Sequence, residues 1–393
     1  MKKLLLSALT LLTVSTETAL AKSFYSECNT STVSNKVINA PIADYYQRQY
    51  DLNKPIDALL SERNTINPFL AWNYYLLNNK DRQYGLAWNI SATTAYNNKN
   101  TIRVNTPNWN YFYPNKQWNY WQDREAQNRF ITDIGWKHGA EYGETVAMDY
   151  TDNRFADAFA KEVYFKSSLN KAHGVMLDWW HVHQPLRWSK SKRTEAMLDI
   201  ADKIRDVNGE DYLIIGNTNG NKNKVLAGAL NGVFLELVKK QSSRNYTCNE
   251  LAHIESVIEF NEKTLQEPKI IAVNGQRKTS SDDRGERNSK ENVQYARLIT
   301  AMSAVIPEHG YVLFGDNNRD FDDGDHQHSY YDFYNIDLGK PISKRTTITK
   351  GVAYKKYEDG VIAYNRLKKD VTVKIENKTI VIPSMDAVFF HAD

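Results

Sequence analysis

The chain has 393 residues, with 50 basic against 47 acidic side chains and a formal net charge of +3. The charges are spread along the whole length, so the basic face of a nucleic-acid binder is absent and no nucleic-acid partner is expected. The length gives ample core for one large domain with an appendage or for two domains.

The chain opens with Met1-Lys2-Lys3, an apolar run from Leu4 to Val14, and Ala19-Leu20-Ala21. Charged, then apolar, then small residues is the order of a secretory signal peptide, so residues 1–21 are expected to be removed and the protein exported to the periplasm or the medium. A retained N-terminal anchor is the competing reading. The run is too short to span a bilayer, and nothing later approaches the ~20 uninterrupted apolar residues that a span needs. Cys28 and Cys248 are the two cysteines, and an oxidising compartment would allow them to tie an N-terminal arm to the body. Sequence alone does not show that they meet.

Short apolar runs follow one another along the chain. A first strand is predicted near Ile42 to Tyr46, with a helix over Lys54 to Arg63. Further strands are predicted at Phe69–Trp72, Thr145–Asp149, Gly174–Asp178, Tyr212–Asn217, Gly232–Glu236, Lys269–Asn274 and Tyr311–Asp316. Continuous apolar strands are buried on both faces, as a parallel sheet requires. From Thr145 onward their step of roughly 20–40 residues is that of βα units. Apolar residues at spacings of three and four predict helices over Lys192–Val207, Asn249–Glu262 and Lys290–Val305. The pattern predicts a (β/α)8 TIM barrel over residues 22–344. Within it, Lys80 to Glu144 reads as one long βα insertion, although Gly85–Trp88 and Thr101–Val104 resemble strands. After Pro341 the pattern alternates, and Asp359-Gly360 between alternating runs signals a hairpin. A small antiparallel C-terminal β-domain over residues 345–393 is expected.

Reactive groups in such a barrel stand at the C-terminal strand ends. Those positions hold Asp149, Asp178, Asn217, Glu236, Asn274 and Asp316. A lone acid there is commonly a cap or turn acceptor, but several on one rim point to chemistry. Gly174 to Asp178 and Gly232 to Glu236 share one plan, in which a glycine opens an apolar strand and a carboxylate follows its last aliphatic residue. Two carboxylates near aromatic walls are driven to different pKa values, and glycosidic cleavage needs one protonated and one ionised carboxyl. Asp178 is assigned as nucleophile or base and Glu236 as general acid/base. Substrate binding is assigned to Asp149, Tyr150, Trp179, Trp180, His181, His183, Asn217, Asn274 and Asp316, with Asp149 and Asp316 also candidates for an exchanged catalytic role.

The chain is rich in aromatic residues, with 9 Trp and 24 Tyr, many beside Asn, Asp or His as in Trp109-Asn110-Tyr111. Sugar rings stack their C–H faces on such side chains. His181-Val182-His183 also has the spacing of a metal pair on one strand, with His326 and His328 as possible partners. The acidic loop Asp320, Asp322, Asp323 and Asp325 lacks a full calcium-loop ligand series and reads as solvated. No metal and no cofactor is assigned. Phosphate-loop, esterase-elbow and Cys-x-x-Cys motifs are absent, which argues against the nucleotide, esterase and thiol-redox chemistries that they carry.

Three segments, Met148 to Asn153, Gly174 to His181 and Gly232 to Glu236, together with Tyr330 to Pro341 and Tyr357 to Asn365, resemble the bacterial glycoside hydrolases of barrel fold related to the α-amylase and polygalactosaminidase groups. The resemblance covers roughly residues 140–393, and the N-terminal third departs from it. It implies a barrel with an Asp after the fourth strand and a Glu after a later one, positions that match Asp178 and Glu236. The expected function is a secreted glycoside hydrolase acting on a bacterial or extracellular polysaccharide. A non-catalytic polysaccharide-binding barrel and a metal-dependent barrel hydrolase are the alternatives. The sequence carries no signal of sugar, linkage or oligomeric state.

Overall fold

The computed structural model describes residues 38–39, 85–88, 101–107, 109–112, 121, 123–136, 145–170, 172–184, 186–237, 245–278, 289–308, 310–317, 331, 333, 336, 338–339, 341–375 and 377–391. The expected signal segment, Cys28, the strands expected at Ile42–Tyr46 and Phe69–Trp72, and His326 and His328 lie outside these residues. Cys248 is disulfide-bonded. No helix among the described residues is long and apolar enough to cross a membrane.

Strands β1 (Ile38–Asn39), β2 (Gly85–Trp88) and β3 (Thr101–Asn105) precede an insertion made of β4 (Tyr111–Phe112), α1 (Arg124–Asn128), β5 (Ile131–Trp136) and β6 (Thr145–Met148). Regular βα alternation follows: α2 (Phe155–Asn170), β7 (Gly174–Leu177), α3 (Lys190–Asn208), β8 (Leu213–Asn217), α4 (Lys224–Ala227), β9 (Gly232–Leu237), α5 (Cys248–Thr264), β10 (Ile270–Lys278), α6 (Lys290–Val305) and β11 (Gly310–Asn317). Seven strands form one sheet in the order β11-β10-β9-β8-β7-β3-β2, and every neighbouring pair is parallel.

The central strands alternate between two environments. Val233 and Leu235 of β9 and Ile271 and Val273 of β10 face the helix side and join the main core. Phe234 and Glu236 therefore face the opposite way, in register with Ala272 and Asn274. The opening glycines allow strands to approach closely: a Cβ at Gly174 would lie 2.4 Å from the Leu213 carbonyl oxygen, and one at Gly232 would lie 2.9 Å from that of Ile270. Helix starts carry their own signals. Ser189 accepts from Lys192 N at 3.2 Å before α3, Ser289 accepts from Asn292 N at 3.2 Å before α6, and Thr247 with Glu250 forms a capping box on α5.

Two expectations are corrected. Thr145–Met148 is not a strand of the parallel sheet but the middle of the antiparallel sheet β4-β6-β5. It looked like a parallel strand because both its faces are covered: Met148 joins the main core, while Ala147 packs with Tyr111, Trp179 and Trp188 on the other side. Residues 80–144 are not one insertion either, since Gly85–Trp88 and Thr101–Asn105 are strands β2 and β3 of the parallel sheet. The dozen residues between Trp88 and Thr101 are near the lower limit for a parallel crossover, which masked the relationship.

The chain ends in β12 (Thr346–Thr349), β13 (Val352–Tyr357), β14 (Gly360–Asn365), β15 (Val371–Ile375), β16 (Lys378–Ile382) and β17 (Asp386–His391). They form the antiparallel sheet β12-β13-β14-β17 and a second sheet, β1-β15-β16, in which β1 runs parallel to β15. Helix α6 lies between β10 and β11 on one side and β13, β14 and β17 on the other. Polar locks fix this join. Arg297 forms a two-pronged pair with Asp386 at 2.8 and 2.5 Å, and Arg366 Nε donates to Glu255 Oε2 at 2.5 Å, where the Tyr364 hydroxyl also donates to the same carboxylate.

Candidate active site

Asp178 follows β7 directly, Asn217 closes β8, and Glu236 is the next-to-last residue of β9. These are C-terminal strand ends on adjacent strands, and one side chain joins all three. Asn217 Nδ2 donates to Asp178 Oδ1 at 2.9 Å and to Glu236 Oε2 at 3.1 Å. Two oxygens held by one amide nitrogen at those lengths are no more than about 6 Å apart, and about 5 Å at the ~120° between its N–H bonds.

The backbone around Asp178 is unusual. Trp179 has φ 55°, a left-handed conformation costing a bulky residue on the order of 1–3 kcal/mol. Its carbonyl accepts from His181 N at 2.8 Å and Gln184 Nε2 at 3.2 Å, and the next amide, Trp180 N, donates to Asn217 O at 2.6 Å. The bend turns Trp179 N back onto Asp178 Oδ1 at 2.9 Å. Arg193 of α3 secures the following loop from below, donating to Gln184 O at 2.9 Å and Val182 O at 3.0 Å.

The insertion supplies the other side of the clamp. Trp109 Nε1 and Asn110 Nδ2 both donate to the Asp178 carbonyl, at 2.6 and 3.2 Å, while the Tyr111 hydroxyl lies 3.4 Å from Asp178 Oδ2. Three consecutive residues thus meet one aspartate. Donors aimed at a carboxylate favour its ionised form. In the sequence Trp109-Asn110-Tyr111 reads only as an aromatic-polar mixture. The two-residue spacing of Trp109 and Tyr111, which puts both on one side of an extended segment, is the signal that could have found them.

The remaining expected site residues divide. Asn274 faces the same side as Glu236 and is its register partner; it is 2% exposed, and its Oδ1 has no hydrogen-bond partner. It sits in mid-strand rather than at a strand end, because β10 runs on to Lys278. Asp316 lies in β11 opposite Arg277, and its side chain lies outside the described residues. Asp149 follows β6 of the antiparallel sheet, not a strand of the parallel one, and its Oδ1 accepts from Thr151 N at 3.1 Å and Thr151 Oγ1 at 2.7 Å, closing a turn. Tyr150 is buried between Trp109 and Trp188, and burial pushes its hydroxyl up to about 12 despite Arg193 beside it. Trp180 is 1% exposed, with its indole N–H on Leu226 O at 3.1 Å. Neither ring offers a sugar an open face, so both belong to the core. Trp179 is half-buried and packs beside Tyr111 and Trp188.

His181 and His183 sit on a bend, not on a strand as the metal-pair pattern required. His183 is exposed, whereas His181 is buried, with its Nδ1 accepting from His183 N at 3.3 Å and its Nε2 3.1 Å from the Asn219 amide. Burial, with His183 and Arg193 alongside, pushes its pKa down from 6.5 to about 4, so the ring is neutral. Because Nδ1 accepts, the proton sits on Nε2, which requires Asn219 to turn its amide oxygen toward the ring. Among the described residues no group of three or more His, Cys, Asp or Glu side chains forms a ligand set for a metal.

A cavity of about 540 Å³ between α1 and α2, lined by Trp121, Arg129, Phe130, Arg154, Lys161 and Phe165 among others, includes none of the residues gathered around the two acids.

No protein-family model and no curated protein matches the chain. Structurally similar proteins are glycoside hydrolases. They include the glycoside hydrolase domain of PelA from Pseudomonas aeruginosa (11% identity, 68% of this chain and 98% of that chain, TM-score 0.42). Ega3 of Aspergillus fumigatus, solved with galactosamine, has 8% identity over 69% of this chain and 97% of that one, at a TM-score of 0.42. An α-amylase of Geobacillus thermoleovorans, solved with acarbose, has 9% identity over 82% and 95%, at a TM-score of 0.44.

Proposed function

We propose that the protein is an exported glycoside hydrolase that cleaves O-glycosidic bonds of a bacterial or extracellular polysaccharide with Asp178 and Glu236. The observation that carries this is the shared Asn217 amide, whose bonds of 2.9 Å to Asp178 Oδ1 and 3.1 Å to Glu236 Oε2 keep those two oxygens within about 6 Å of each other. Retaining glycosidases separate theirs by about 5–5.5 Å and inverting ones by about 6.5–9.5 Å. The reading is therefore a retaining, two-step reaction in a (β/α)8 barrel, residues 22–344, with the β-domain of residues 345–393 packed against it.

In the first step protonated Glu236 gives its proton to the glycosidic oxygen as the C–O bond breaks, and Asp178 bonds to the anomeric carbon. In the second, Glu236, now ionised, takes a proton from water as the water oxygen bonds to that carbon and releases Asp178. Asp178, the acid turned toward Trp179 N, Asn217 and Tyr111, suits the ionised role. Trp179 and His183 border the same loop as a sugar-contacting surface.

The test is release of reducing ends from a panel of bacterial exopolysaccharides and α- and β-glycans by the wild type, Asp178→Asn and Glu236→Gln. Cleavage by the wild type and a loss of at least ~10³-fold in each folded variant is expected. An active variant would move the assignment to Asp149 or Asp316, and binding without cleavage would favour a non-catalytic barrel.

A further inference from the structure

We propose that Asn217 is the positioning residue of the acid pair, fixing the carboxyl separation and carrying the protonation of Glu236 to Asp178. The proposal takes its functional meaning from the glycosidase reading, but its geometry stands apart from it. An amide nitrogen has two N–H bonds, and here each has a carboxylate acceptor on a different strand, at 2.9 and 3.1 Å.

The amide is held from behind. Asn217 Oδ1 accepts from Asn219 N at 3.1 Å, its backbone oxygen accepts from Trp180 N at 2.6 Å, and the residue is 3% exposed. Flipping the amide would turn its oxygen onto two carboxylates and lose the Asn219 bond, so the orientation is set by charge as well as by packing. Asn219 in turn meets His181 at 3.1 Å, which continues the chain of contacts behind the acids.

The chemistry follows from that placement. Two ionised carboxyls this close repel, and an N–H donated to each favours the charged forms without adding a competing positive charge. When Glu236 takes up a proton its oxygen becomes the poorer acceptor, and the amide leans to Asp178, the group that must stay ionised. A lysine would lower both pKa values together and an aspartate would raise both, whereas an asparagine lets the two diverge.

The experiment is a pH titration of the full chain by NMR, reading the two side-chain amide protons of Asn217 and the 13C-labelled carboxyls of Asp178 and Glu236. In the wild type the two amide protons should follow different midpoints between about pH 3 and 8, with Asp178→Asn removing one and Glu236→Gln the other. In Asn217→Ala the two carboxyl midpoints should draw together, chiefly through a rise of about 1 pH unit in that of Asp178. Amide protons that ignore both carboxyls, or unchanged carboxyl midpoints in a folded Asn217→Ala, would overturn the proposal. If Asn217→Ala does not fold, the wild-type amide signals decide. Split amide titration without cleavage of any glycan would leave the positioning role standing and remove the hydrolase reading, and cleavage without split titration would do the reverse.

Discussion

His181 offers a quantitative handle on the scaffold behind the acids. Its ring is buried and neutral, with a pKa near 4 in place of 6.5. Between those values the unfolded chain binds a proton at this position and the folded chain does not, so stability falls as pH drops from about 6.5 to about 4. The slope is about 1.4 kcal/mol per pH unit, which gives up to about 3 kcal/mol in all, and about 2 kcal/mol once solvent screening is allowed for. Below about pH 4 both states are protonated and the term stops growing. Carboxylates contribute their own acid loss, so the assay is a comparison: urea unfolding of the wild type and His181→Gln at several pH values. The stability difference between them should shift by about 2 kcal/mol in favour of the variant as pH falls from 7 to 4. Parallel pH profiles for the two proteins, or a His181 ring signal titrating near 6.5, would refute the reasoning.

Three further outcomes follow from named contacts. Tyr111→Phe removes the hydroxyl 3.4 Å from Asp178 Oδ2, and a hydrogen bond of about 1 kcal/mol predicts a roughly five-fold fall in kcat with the melting temperature nearly unchanged. Arg366→Met strips Glu255 of its buried partner, which should cost about 3–5 kcal/mol and lower the melting temperature by about 4–6 °C in a thermal scan, while leaving the acid pair intact. Gly216→Ala would put a Cβ 2.8 Å from Leu230 Cδ1 and 2.9 Å from Trp180 Cβ, an overpacking of about 1–3 kcal/mol to be read by urea unfolding.

The βα rhythm from Gly174 onward was legible because each strand is apolar throughout and each helix carries a spacing of three and four; α6 spans Lys290–Val305 as expected. The C-terminal sheets were legible through alternation and through Asp359-Gly360, which joins β13 to β14. Thr145–Met148 was misread because a short run with three apolar residues, covered on both faces, does not reveal the direction of its neighbours. Asp178 and Glu236 could be picked out as acids ending apolar strands. Their bridge by Asn217 could not, since it depends on the stagger that sets Leu177 beside Gly216 and Asn217 beside Phe234. Trp180 and Tyr150 looked like sugar platforms because a sequence does not distinguish an aromatic on the rim from one beneath it.

The most direct test of the central claim is the anomeric configuration of the first-formed product, followed by 1H NMR within the first minutes of cleavage of whichever glycan the panel identifies. Carboxyl oxygens kept within about 6 Å by one amide, short of the about 6.5–9.5 Å of inverting pairs, predict a product with the configuration of the bond that was cut. A product of inverted configuration would contradict the assignment of Asp178 and Glu236 as the working pair at this separation.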